Sequence, residues 1–223
     1  MNSSKSILAG GIIGLALLVT FGYFSSDVEL EYSEPAAEVE PAAEVEPAAG
    51  VDLADKDLRG ANLSNTNLTD VDLSGKDLSY RNLAGADMSG MDLTGTILTG
   101  ADLSSTILTD VDLSDMDLTG TILTGADLSG VNLSNAILIN VNLENATLEN
   151  AKLLDANLDS ANLSNADLRN ILLVDTYLSN ATLTGADLTG AILTGAILTG
   201  ADLENAVLTG AILNCVGHHI CVS

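Results

Sequence analysis

A chain of 223 residues is long enough for one domain with a large core plus accessory segments. Hydrophobic residues make up 47% of it, yet aromatics reach only 3% and Trp is absent, which excludes a core packed on aromatic rings. Acids outnumber bases 31 to 7, and the resulting net charge of −24 repels nucleic acid and anionic lipid and attracts cations or basic protein surfaces.

Residues 1–26 contain the run Ile7–Phe24, 18 residues without a charge. As a helix this run spans about 27 Å, close to the ~30 Å hydrocarbon core of a bilayer. Lys5 precedes it, and Asp27, Glu29 and Glu31 follow it. That asymmetry predicts a transmembrane anchor with a cytoplasmic N-terminus and the remaining chain on the extracytoplasmic side. A cleavable signal peptide is the alternative, with Thr20-Phe21-Gly22 the nearest approach to a cleavage site and a secreted or periplasmic product.

Residues 27–50 repeat Glu-Pro-Ala-Ala at positions 34, 40 and 46 and carry eight acids and no base. Pro bars regular structure, the Glu side chains repel one another, and little apolar surface is available to bury. The segment reads as an extended acidic linker.

Residues 51–213 keep one register. From Leu53 to Leu213 every fifth residue is Leu except Met88, which makes 33 positions without a slip. Two residues before each Leu the side chain is usually small, as at Ala61, Ala86, Ala101 and Ala126. Asp or Asn usually stands one before the Leu, and Ser or Thr follows it, then often Gly or Asn. A period of five fits neither the 3.6 of a helix nor the 2 of a strand, so neither element could bury every Leu on one face. A chain that turns a corner once per repeat can do so, and Asn and Gly suit the corner.

This register resembles the pentapeptide-repeat family. The resemblance implies an all-β fold: a right-handed quadrilateral β-helix with four repeats per coil, the Leu and the residue two before it pointing inward. About eight coils at ~4.8 Å each give a rod about 40 Å long. Leu ladders would fill its interior, and each coil would depend mainly on its neighbours. Lys56, Lys76 and Arg81 occupy inward slots, so either their stems run outward and carry the charged heads to solvent or the early coils are uneven; pairing with Asp57 and Asp77 is the functional alternative. The block LTGTILTGADLS recurs at 93–104 and 118–129, an offset of 25 that moves the copy one face around.

Asp52, Asp72, Asp92 and Asp112 lie 20 apart and form an outward acidic column on such a coil, with Asp57, Asp77 and Asp117 on the next face. A hard cation would relieve their repulsion, although no loop shows a Ca²⁺ motif; a solvated acidic face is the competing reading. Residues 214–223 hold Cys215, His218, His219 and Cys221. In an exported chain Cys215 and Cys221 form a disulfide that pins the last coil; a cramped Cys/His metal site and free thiols are the alternatives.

No His or Cys occurs between Val51 and Leu213, and no phosphate-binding loop is present, so neither catalysis nor a cofactor is expected. The expected function is a rigid acidic rod that binds a protein partner with a basic surface, displayed outside the membrane through the N-terminal helix and without direct nucleic-acid binding. The family resemblance implies an alternative, a DNA mimic that inhibits or protects a gyrase-type topoisomerase.

Overall fold

The computed structural model describes Leu58 and residues 61–221. The predicted anchor, the linker, Asp52, Lys56 and Asp57 lie outside the described residues.

Each repeat builds one side of a square coil. Parallel bridges join residues 20 apart, as in Asn62↔Asn82↔Asp102↔Ile122, so four repeats complete one turn. The four faces are named here by their first described outward residue: the first face starts at Asn62, the second at Asn67, the third at Asp72 and the fourth at Asp77. Between coils the backbone pairs like a parallel sheet. The Leu103 N–H donates to the Ile122 carbonyl at 2.7 Å, and the Ile122 N–H donates to the Ala101 carbonyl at 3.0 Å.

The local pattern explains the corners. After each Leu the chain reverses, and the amide three residues on donates back to the Leu carbonyl, as Ala126 does to Leu123 at 3.1 Å. From Gly75 to Gly210 every fifth residue has a positive φ. Such a turn demands that conformation at its third residue, which Gly and Asn tolerate best. The Asp or Asn before the Leu has an equally local task. Its Oδ1 accepts the N–H of the residue after the Leu, as Asp127 does from Ser129 and Asn162 does from Ser164. The hydroxyl of that Ser donates to the same oxygen at 2.6 Å in both repeats. The D/N-L-S/T tripeptide is thus a turn-building unit.

The core follows from the register. Every centre residue from Leu63 to Leu198, Met88 included, is at most 2% exposed. The slots two before them hold mostly Ala, with Val, Ile or Thr in others. Buried hydroxyls are satisfied by backbone carbonyls: Thr106 and Thr121 donate to Leu103 and Leu118, and Thr96 and Thr176 to Leu73 and Leu153 one coil earlier. Stacked Leu columns remove water from the whole interior, which explains how the fold dispenses with aromatic rings.

One missing rung, Asp72 to Asp92, lies in the coil that holds Lys76 and Arg81, in line with the expectation of uneven early coils. Lys76 and Arg81 are half-buried, yet their rungs are intact: Ile97 donates to the Lys76 carbonyl and Asp102 to the Arg81 carbonyl. Arg81 retains a buried Nε without a partner. The other missing rungs fall one coil further along, around Met91 and Met116.

The register loses one residue at the C-terminus. Val216 pairs with Ile197 at an offset of 19, and Cys215 takes the inward slot. Cys215 and Cys221 are bonded, with their Cα atoms 4.9 Å apart, and close a loop over the end of the coil. Gly217 in this loop has φ 87°, and a Cβ there would lie 3.0 Å from the Thr199 backbone nitrogen.

Candidate interaction surface

With the interior filled, what the rod offers another molecule is its outward residues. On the third face they run Asp72, Asp92, Asp112, Asn132, Lys152, Leu172, Ile192 and Ile212, from acidic at one end to apolar at the other. The repeat places them in one column.

The structure brings Asp72, Asp92 and Asp112 onto one face, as the 20-residue spacing predicts, and shows what each carboxylate does. Their Oδ1 atoms accept the amides of Ser74, Thr94 and Ser114 at 2.9, 2.9 and 3.0 Å. Hydrogen bonds from these residues hold all three carboxyls below the usual carboxylate range: chiefly the Ser74 amide at Asp72, and the Thr94 and Ser114 hydroxyls at Asp92 and Asp112. The Asp72 charge opposes the shift at Asp92, and the Asn132 amide, 3.0 Å away, assists it at Asp112. The carboxylates are thus already engaged in their own turns. Among the described residues no group of three or more His, Cys, Asp or Glu side chains is arranged to hold a metal ion.

The inter-coil ladder is broken beside this column. Among the described residues the missing bridges are Asp72 to Asp92, Asp92 to Asp112, and Ile97 to Asp117. Two causes coincide there. Met91 and Met116 fill inward slots that hold smaller residues in most coils, and overfilling a packed slot displaces backbone. Like charges also stand opposite each other across the rungs. A cleft of about 610 Å³ opens between these coils, lined by Met91, Asp92, Asp110, Asp112, Met116 and Asp117 among others. Sequence reasoning located the charge column but missed the cleft. The signal was two methionines where the pattern prescribes small residues.

Asp77 and Asp117, on the fourth face, likewise accept the amides of Ser79 and Thr119. The Asp77 carboxyl is lowered first by the Ser79 hydroxyl and its amide, with Arg81 adding a smaller through-space pull. The ion-pair cluster around Arg169 had escaped the sequence reading. Its guanidinium contacts Asp167 at 2.6 Å and Glu149, one coil earlier, at 2.9 Å. Arg169 lowers the Asp167 carboxyl, chiefly through their hydrogen bond.

At the C-terminal end Asp202, Glu204, His218 and His219 line a cavity of about 320 Å³. The two imidazoles lie 4.2 Å apart, and burial, aided by His219, lowers the His218 imidazole while Asp202 opposes that shift.

The family model for pentapeptide repeats matches in eight copies, covering residues 48–79, 77–110, 96–135, 136–173 and 171–210. The chain belongs to the pentapeptide-repeat family. No curated relative matches the sequence. Among solved structures, this pentapeptide-repeat protein is similar to trypsin-treated QnrB1, a plasmid-mediated fluoroquinolone resistance protein, with a TM-score of 0.56 and 19% identity over 69% of this chain and 73% of that one. It is also similar to HetL, a pentapeptide-repeat protein involved in heterocyst differentiation regulation in the cyanobacterium Nostoc sp. strain PCC 7120, at 32% identity over 71% of this chain and 89% of that one, with a TM-score of 0.38. Rfr23 from the cyanobacterium Cyanothece 51142 is 37% identical over 54% of this chain and 63% of that one, with a TM-score of 0.30. The architecture of the family is a right-handed quadrilateral β-helix.

Proposed function

We infer that this pentapeptide-repeat protein is a non-enzymatic interaction module, a rigid acidic rod held on the extracytoplasmic side of a membrane by its N-terminal apolar segment. The observation that carries the reading is the division of labour within each repeat. Centre residues and the slots two before them make the core, Asp, Asn, Ser and Thr build the turns, and the remaining outward side chains are left to meet a partner. Residues 51–223 carry 23 acids against six bases, which suits a partner with a basic surface. The Cys215–Cys221 bond, in this reading, belongs to an oxidising compartment and keeps the exposed coil closed.

Protease treatment of spheroplasts, after fractionation, tests the placement. The rod should be degraded in intact spheroplasts and should fractionate with membranes. A rod that is protected until lysis, or that is recovered in the cytosol, ends the display reading.

A second reading is supported by the likeness to QnrB1 together with the acidic surface: a mimic of duplex DNA that protects a gyrase-type topoisomerase. A supercoiling assay with gyrase and a fluoroquinolone tests it. Restored supercoiling upon adding the rod would favour protection over display, and no effect at micromolar rod would remove it.

A further inference from the structure

A complete rung of this ladder carries three inter-coil hydrogen bonds. Leu103, Ile122 and Ser105, for example, donate to the carbonyls of Ile122, Ala101 and Thr124. On the third face, in the rung that joins Met91–Gly95 to the next coil, none of the three forms. Leu93 does not donate to the Asp112 carbonyl, Asp112 does not donate to that of Met91, and Gly95 does not donate to that of Ser114. Among the described residues it is the one rung between Leu63 and Leu198 that keeps no such bond. The cleft of about 610 Å³ lies at this rung, and its volume is in the range of ligand pockets. Met91 and Met116 line it from the core side, and the exposed Asp92, Asp110, Asp112, Asp115 and Asp117 line it from the surface.

We propose that this open rung docks a short extended segment, rich in Lys or Arg, of the protein partner; the proposal rests on the reading of the rod as a module for a basic partner. Two independent features select that occupant. The aspartates call for positive charge, and the unpaired rung offers backbone donors as well as acceptors. A bare cation could use the carbonyls of Met91, Asp112 and Ser114, but it would leave the Gly95 and Asp112 N–H groups unsatisfied. Asp92 and Asp112 also hold their own turns, and no group of three or more acidic, His or Cys side chains among the described residues is arranged for a metal. An anion could use the N–H groups, but it would face the carboxylates. A peptide backbone presents N–H and C=O in alternation, so addition of an extended segment satisfies both, while its alternate side chains reach the aspartates. The thioethers of Met91 and Met116 give an adaptable apolar contact for the aliphatic stems of Lys and Arg. The misfit of the two methionines thus has a use: they hold open a rung that alanines would close.

Fluorescence anisotropy with the full-length chain tests the groove. The probe is a labelled peptide of three Lys-Val repeats, in about 0.15 M salt, which screens charges beyond ~8 Å. It should bind saturably, and the same peptide with Glu in place of Lys should not. Methylating the probe's alternate backbone nitrogens keeps its charge and removes donors; binding should weaken about tenfold. Met91→Ala combined with Met116→Ala leaves the charge of the rod unchanged and should close the rung, again with a loss of about tenfold. An unchanged far-UV spectrum shows that the fold survives. In hydrogen exchange the bound peptide should add protection at the Gly95 and Asp112 amides and leave those of Leu143 and Leu163 unchanged. Equal affinity of the parent and double-alanine chains, equal affinity for the methylated peptide, displacement by equimolar spermidine, or protection elsewhere overturns the groove and leaves the basic-partner reading standing. Failure of the Lys-Val peptide to bind either chain overturns both.

Discussion

Coils from Val71 to Leu118 and coils from Leu118 to Leu213 obey the same five-residue rule, yet only the second set is stitched together on all four faces. The difference lies in a few side chains. In the first set Met91 and Met116 crowd inward slots and Asp72, Asp92 and Asp112 share a column. In the second set those slots hold mainly Ala, and the same column continues as Asn132, Lys152, Leu172, Ile192 and Ile212. The register sets the topology, and the occupants of two positions per repeat set the coupling between coils.

The largest effect that probes this contrast is core truncation. Leu148 is fully buried in the stitched half. Leu148→Ala should cost about 2–5 kcal/mol, read as a lowered midpoint in thermal or urea unfolding. Met116→Ala in the open half should cost far less than that range or should stabilise the rod, because it restores the residue that most coils carry. A loss at Met116 as large as that at Leu148 would mean that the two halves are packed alike.

Next comes the C-terminal end. Reducing the Cys215–Cys221 bond releases a seven-residue loop, and the chain-entropy contribution of such a loop is about 2 kcal/mol. Amides near Ile197 and Val216 should lose exchange protection first, before those at Leu138 or Leu148. Thiol titration of the unreduced protein should find no free cysteine.

Smaller still is the charge column. Asp92→Asn keeps the oxygen that accepts the Thr94 amide and removes the charge that faces Asp72 and Asp112. It should raise the midpoint by about 2 °C at neutral pH and add protection at the amides of Leu93 and Asp112. The lowered carboxyls give this a pH signature. Their turn-stabilising contribution is complete above pH 3.8 and is lost as the pH falls through their lower folded values. Asn in place of Asp should flatten that acid limb.

The smallest expected effect is at His218. Burial lowers its imidazole from 6.5, so the folded cap binds fewer protons than the unfolded chain. Stability of the cap is complete above pH 6.5 and declines as the pH falls through that value. NMR of the terminal coil across pH 7.5 to 5 should show fraying confined to residues 214–221, with the central coils unchanged.

The core of this fold was legible because a single constraint repeats: a Leu every fifth residue has no helical or strand solution. The acidic column was legible for the same reason, since 20 residues close one coil. Its job was not. Asp72 and Asp127 look alike as carboxylates, and only the turn geometry shows that each serves first as an acceptor for the amide two residues on. The cations flag the early coils, where the missing rungs lie, but not the methionines beside them. Lys76 and Arg81 break the pattern chemically, whereas Met91 and Met116 break it sterically and look unremarkable in a hydropathy reading. The one-residue slip at Cys215 was hidden because the repeat simply ends there in sequence.

The four-repeat coil has a consequence for how such a rod can change. Insertion or deletion of one pentapeptide leaves every Leu in the core, but it rotates everything downstream by a quarter turn. The acidic end and the apolar end of the third face are thus aligned by a phase, and one repeat added between Asn132 and Leu172 would turn one against the other. The duplicated blocks at 93–104 and 118–129 differ by such a step, and their isoleucines at 97 and 122 now face different directions. Azimuth, in this molecule, is adjustable without any penalty to the interior.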